Sequence, residues 1–114
     1  MAITELYSGT EAVSTTEHSL TTDTAGPDAD TTGGVFQVFL DVSDMVAGDE
    51  LQIRIYEKVR SVDTQRIVFE DTLVGAQSAS VWVSPSLILM HGWDVTLDAI
   101  SGTITVNWSI RQVA

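Results

Sequence analysis

No cysteine occurs in the 114 residues, which excludes disulfides, thiol nucleophiles and thiolate metal sites. Packing, helped by any oligomerisation, has to hold the fold. No apolar run approaches the ~18 residues that mark a membrane-spanning helix. The opening "MAITELYSGTE" has neither a basic start nor an apolar stretch, so no signal peptide is expected. Positive charge is scarce: five Lys and Arg stand against sixteen Asp and Glu, a formal net charge of −11. Such a chain repels both a phosphate backbone and an anionic lipid surface, so neither nucleic acid nor membrane is expected as a partner. The acidity serves solubility, docking on a positive partner, or salty surroundings in which self-repulsion is screened. Also missing is any sustained 3.6-residue apolar periodicity, which argues against helix.

What is present reads as one all-β domain, large enough for its own core. Residues 1–34 are rich in Thr, Ser and acids, and "DTAGPDADTTGG" (Asp23–Gly34) is turn chemistry throughout. This part is expected to form an extended N-terminal arm, or edge strands with a loop; the core is expected in residues 35–114. In "GVFQVFLDVS", Phe36, Val38, Leu40 and Val42 share one parity, as in a half-buried strand. "SDMVAGDE" follows as a turn. "LQIRIYEK" places Leu51, Ile53 and Ile55 inward, and "RIVFED" returns with Ile67 and Phe69 inward. Directly opposed residues share a face, so these two strands should form a hairpin closed by an odd-length loop such as Ser61–Asp63, with Arg54 in reach of Glu70.

A second hairpin is expected from Trp93 to Ile110. Trp93, Val95, Leu97 and Ala99 alternate with polar residues, as do Ile104, Val106, Trp108 and Ile110. A Ser101–Gly102 turn would set Val95 opposite Trp108. "SVWVSPSLILMHG" is apolar on both faces, and Pro85 marks an edge strand or a bend. About seven or eight short strands with frequent turns predict an antiparallel β-sandwich, jelly-roll-like.

The chemistry-bearing residues are few. His18 and His91 are the two histidines, and no nucleophile elbow or phosphate-cradling glycine loop accompanies them. Neither enzymatic activity nor a cofactor is expected. Asp23, Asp28 and Asp30 offer hard oxygen ligands of the kind calcium takes, but not at EF-hand spacing, and no metal site is assigned. Two surfaces stand out instead. Phe39, Trp82, Ile88 and Met90 fall opposite the inferred core and form a candidate interface. Arg54, Lys58, Arg60 and Arg66 concentrate four of the five cations in "RIYEKVRSVDTQR", the solvent face and tip of one hairpin or a candidate docking patch.

On "GVFQVFLDVSDMVAGDELQIRIYEKVRS" and "VWVSPSLILMHGWDVTL" the chain resembles the small β-sandwich head-decoration, or cement, proteins of tailed bacteriophages. The resemblance implies a homotrimer made in the bacterial host cytoplasm that binds the major capsid protein on the outer surface of an assembled head and stabilises it. It assigns no residue roles. A tail or baseplate component would share these features, and a carbohydrate-binding sandwich would use Trp82 or Trp93 as stacking platforms.

Overall fold

The alternation of β-branched and aromatic residues with polar ones is realised as strands in the computed structural model, which describes residues 2–113. In chain order they are β1 (Ile3–Val13), β2 (His18–Ser19), β3 (Thr24–Ala25), β4 (Gly34–Asp41) and β5 (Glu50–Glu57). Then come β6 (Arg66–Val74), β7 (Val81–Val83), β8 (Leu87–Leu89), β9 (Asp94–Ala99) and β10 (Ile104–Val113). Among the described residues there is no helix. All pairings are antiparallel. The front sheet runs β1-β10-β4, with β7 and β8 both on the far edge of β4; the back sheet runs β3-β2-β9-β5-β6.

Ten strands exceed the expected number because β2 and β3 form a two-residue hairpin at the edge of the back sheet, and β7 and β8 are one edge strand interrupted at Pro85. There the backbone is satisfied by Ser84, which is buried and accepts the Val38 N–H on its hydroxyl at 2.9 Å. With β7 and β8 taken as one, every connection except β2–β3 and β5–β6 crosses from one sheet to the other, the winding of a jelly roll.

The core lies between the sheets. Phe36, Val38 and Leu40 of β4 share it with Leu51, Ile53 and Ile55 of β5, and Trp93 lies against Phe36 at 4.5 Å between ring centroids with the planes tilted by 41°. Complete burial of each aliphatic side chain contributes roughly 1.5–3 kcal/mol. Val13 and Leu20 belong to the same core.

The β5–β6 hairpin has the expected even-sum register at its base, with Ile55 opposite Phe69 and Arg54 opposite Glu70. A bulge after Ile55 then shifts the ladder, which ends at Glu57 opposite Arg66. The connection is therefore 58–65, longer than a three-residue loop, and Ile67 turns out to solvent.

The expected hairpin between Trp93 and Ile110 does not form. Both inward sets are correct, since Trp93, Val95, Leu97, Ala99, Ile104, Val106, Trp108 and Ile110 are all buried. However, β9 pairs with β2 and β5, while β10 pairs with β1 and β4. The chain crosses from back to front sheet between Ala99 and Ile104, so Val95 and Trp108 lie in different sheets. Gly102 does take a positive φ of 66° in this connection. Asp94 and Thr96, on the other face of β9, are also fully buried, because the segment around the edge strands β2 and β3 straps over them through Glu17, Thr21 and Asp28.

Candidate interaction surfaces

The strap is held by polar chemistry. The Asp94 carboxylate accepts the Thr21 hydroxyl and the Asp28 N–H, each at 2.8 Å. The Glu17 carboxylate accepts the hydroxyls of Tyr56 and Thr96. Burial, then the hydrogen bond to Glu17, pushes the Tyr56 phenol up to about 12. Tyr7 is held at about 12 chiefly by its hydrogen bond to Asp30. Asp23, Asp28 and Asp30 do not converge: Asp23 binds His18 Nε2 at 2.8 Å, Asp28 accepts from Thr22, and Asp30 from Tyr7 and the Thr32 N–H. Among the described residues no three potential metal ligands cluster. Both ring nitrogens of His18 face carboxylates, Glu11 at 3.2 Å and Asp23. His91 lies in the turn before β9, where its backbone carbonyl accepts the Lys58 N–H.

The four cations of the basic stretch do not stay together. Arg54 turns onto the back sheet, donating to Glu70 at 2.9 Å, Asp98 at 2.8 Å and Gln52 at 2.6 Å, with Glu17 at 3.8 Å. Burial disfavours its charge, but the surrounding carboxylates outweigh this and raise its pKa. Burial likewise raises the Asp98 carboxyl, with Arg54 pulling it down against Glu17 and Glu70. Arg54 thus serves the fold, leaving Lys58, Arg60 and Arg66 at the hairpin tip. Arg60 forks onto Asp63 and lowers its pKa.

The apolar candidates also divide. Phe39 and Ile88 lie on the outer face of the front sheet, and Met90 is exposed just past the end of β8. Trp82 does not join them. It sits opposite the core residue Leu40 and so points inward, against Phe69, with its indole N–H donating to Asp71 at 2.9 Å. It closes the gap between β7 and β6. Pairing with β4 turns Val81 and Val83 outward instead, and a strand apolar on both faces gave periodicity no means of choosing.

Residues overlooked in the sequence complete this outer face. Ile3, Val113, Val35 and Ile88 are in register across β1, β10, β4 and β8, forming one apolar row. Ile3 is 69% and Ile88 79% exposed. Beside the row, the Arg111 guanidinium lies 3.7 Å over the Phe39 ring. A depression of about 180 Å³ runs between them, lined by Ile3, Val35, Phe39, Arg111 and Val113. The signal was cross-strand, and single-strand patterning does not reveal it.

No protein-family model matches this sequence, and no curated protein matches it. Among solved structures the chain is similar to a pentameric capsid protein isolated from metagenomic phage sequences, at 16% identity and a TM-score of 0.48, covering 99% of this chain and 72% of that one. It is similar to the Eiger TNF of S. frugiperda at 10% identity and TM-score 0.45, covering 97% and 88%. A further structure of a pentameric capsid protein from metagenomic phage sequences aligns at 15% identity and TM-score 0.41, covering 97% and 62%. Values this low leave function to be argued from the chain's own surfaces.

Proposed function

We propose that this chain is a structural protein of a tailed-phage virion, a decoration protein that binds the outer surface of the assembled head and stabilises it. One asymmetry supports the reading. The outer face of the back sheet carries the polar network of Arg54 with Glu17, Glu70 and Asp98, whereas the front sheet presents an apolar row that nothing among the described residues covers. A face of this kind marks association. The partners are the major capsid protein and further copies of this chain, as a homotrimer. No catalytic role is assigned, and no sugar platform, because Trp93 and Trp108 are buried and Trp82 is turned inward.

Burying Ile3, Val35 and Ile88 against a capsid would contribute roughly 1–2 kcal/mol each. Because only the assembled shell offers the site, that energy appears as shell stability by mass action. The test is binding to heads stripped of accessory proteins, with Val35→Asp/Ile88→Asp as the comparison. Wild type should saturate the heads and raise their disruption temperature, and the variant should stay in solution. Immunolabelling that places the protein on the tail or baseplate, or equal head binding by both proteins, overturns the reading.

A further inference from the structure

Each sheet of an open sandwich has two edges, and a bare edge recruits further strands unless something guards it. Three of the four edges here are blunted. The β7–β8 edge is interrupted at Pro85, which has no N–H to offer. β3 is only two residues long. On β6 the even-numbered residues point outward, since Gly75 N–H donates to the Asp49 carbonyl at 2.7 Å and the alternation runs back from there. Of these, the Thr72 N–H is taken by the Asp71 carboxylate at 2.9 Å, and the Val74 carbonyl by Gln77 Nε2 at 3.1 Å.

β1 is left open. Val38 meets Ser84 through both its N–H and its C=O, so the odd-numbered residues of β4 face β10. Asp41 opposes Asn107 and Phe39 opposes Ser109, which leaves the even-numbered residues of β10 to bond β1. Gly9, opposite Trp108, and Glu11, opposite Val106, therefore bond to β10. Ser8, Thr10 and Ala12 turn their N–H and C=O groups away from the sheet, and among the described residues no loop or side chain takes them up. Neither Lys nor Pro, the usual guards, occurs in β1.

There is also room for a strand. Trp82 of β7 packs on Phe69 of β6, which sets those two edges one above the other. From there the front sheet runs through four strand positions and the back sheet through five, so β3 extends past β1. The contact of Glu11 with His18 at 3.2 Å agrees, placing β1 over β2. Beyond it Thr24 and Ala25 are exposed. A groove of about 210 Å³ follows this step, lined by Glu11, Ser14, Thr16, Glu17, His18 and Ala25. Its charge is negative. The side chains of Glu11 and Asp23 are 39% and 63% exposed with His18 between them, and Glu17 has Arg54 at 3.8 Å. No Lys or Arg precedes Arg54 in the chain.

We propose that β1 accepts an extended basic segment as a further strand of the front sheet, bonded to Ser8, Thr10 and Ala12 and lying over β3. Alternate side chains of that segment point into the groove, where a lysine or arginine meets Glu11 and Asp23. These carboxylates turn away an acidic strand, a second copy of β1 among them, since β1 carries Glu5 and Glu11 and no cation. The source of the segment rests on the function proposed above: it belongs to the major capsid protein, and strand addition anchors the chain to the shell beside the apolar row.

The full chain is tested with peptides of about seven residues that alternate threonine with lysine or, as the control, threonine with glutamate. The lysine peptide should shift the amide NMR signals of Ser8, Thr10 and Ala12 and slow their hydrogen exchange at least about tenfold at saturation. The glutamate peptide should leave them unchanged. Thr10→Pro removes an outward N–H that the fold does not use, and should weaken lysine-peptide binding at least about tenfold. Ser8→Pro is the second variant, because Thr10 also bonds Asn107 through its hydroxyl. The same amides should be protected when the chain is bound to stripped heads. No response to the lysine peptide, an equal response to both peptides, or proline variants that bind like wild type overturns the proposal. Head binding with these amides still exchanging freely overturns it too, and leaves the function proposed above standing. A chain that takes the lysine peptide but not the heads supports the strand site and overturns that function.

Discussion

Replacing Gly9 by alanine should destabilise the protein, although intrinsic preference predicts the reverse. Gly9 lies on edge strand β1 directly opposite Trp108 of β10. Ala in place of Gly in a strand is ordinarily favourable by about 0.5–1 kcal/mol, because glycine loses more backbone freedom on folding. Here a Cβ would stand 2.6 Å from Cζ2 and 2.8 Å from Cη2 of the indole. The obstacle is a buried fused ring rather than the end of a flexible chain, and its other neighbour is the His18 ring at 5.9 Å. Overpacking of this kind costs about 1–3 kcal/mol. The clash wins, for a net loss of about 1–2 kcal/mol. At this chain length that lowers Tm by roughly 4–10 °C in a thermal unfolding scan. Trp108→Phe removes the atoms that collide. Among the described residues it also removes a buried indole N–H without a hydrogen-bond partner, so it should cost less than most aromatic truncations. In that background Gly9→Ala should become neutral or slightly stabilising. A Tm for Gly9→Ala at or above wild type, or the same loss in both backgrounds, refutes the reasoning.

The chain's two tyrosines allow a direct optical test of the strap: tyrosinate absorbance should titrate near pH 12 in the native protein and near 10.0 in denaturant. Because both folded values are raised, the stabilisation is complete below pH 10.0 and is lost as pH rises through about 12, about 1–2 kcal/mol per tyrosine after solvent screening. A native midpoint at 10.0 refutes it. Arg54→Met leaves Glu17, Glu70 and Asp98 facing one another, and should cost about 2–3 kcal/mol at neutral pH, below the fully buried figure because Glu70 is half exposed. Asp98 already has a raised folded pKa, so its carboxyl favours the fold at low pH and that contribution is lost as pH rises. Removing Arg54 deepens this effect; urea unfolding at about pH 4 and about pH 7 should show the deficit growing with pH, and an equal deficit at both counts against the network.

Alternation was enough to identify the inward residues of β4, β5, β9 and β10, because a strand with one face in a core keeps its apolar side chains two apart. It was blind to which strands touch. An inward Val95 and an inward Trp108 fit a hairpin within one sheet and a crossing between sheets equally well, and only the sandwich decides. The same limit misplaced Trp82, whose strand is apolar on both sides. Nearness in sequence also misled for the cations, since successive residues of a strand point to opposite faces and a bulge follows Ile55. Asp94 and Thr96 look like solvent-facing residues, and only the strap folding back from residues 14–33 makes them interior. The apolar row is a property of several strands together, so no single stretch announces it.

β10 is the spine of the front sheet: it is hydrogen-bonded along its length to β1 on one side and to β4 on the other. It is also the last strand in chain order, and β1 is the first. The β5–β6 hairpin can form from neighbouring residues, but the front sheet cannot close until nearly the whole chain is available, and ring closure on that scale makes folding slow. During synthesis β1 emerges with nothing to pair it, and β4 has only the short β7 and β8 along one edge until β10 is made. A polypeptide stalled before Ile104 would therefore be more than a shortened copy: without the strand that joins β1 to β4, the front layer stays open and leaves core-facing residues of the back sheet exposed, ready to aggregate.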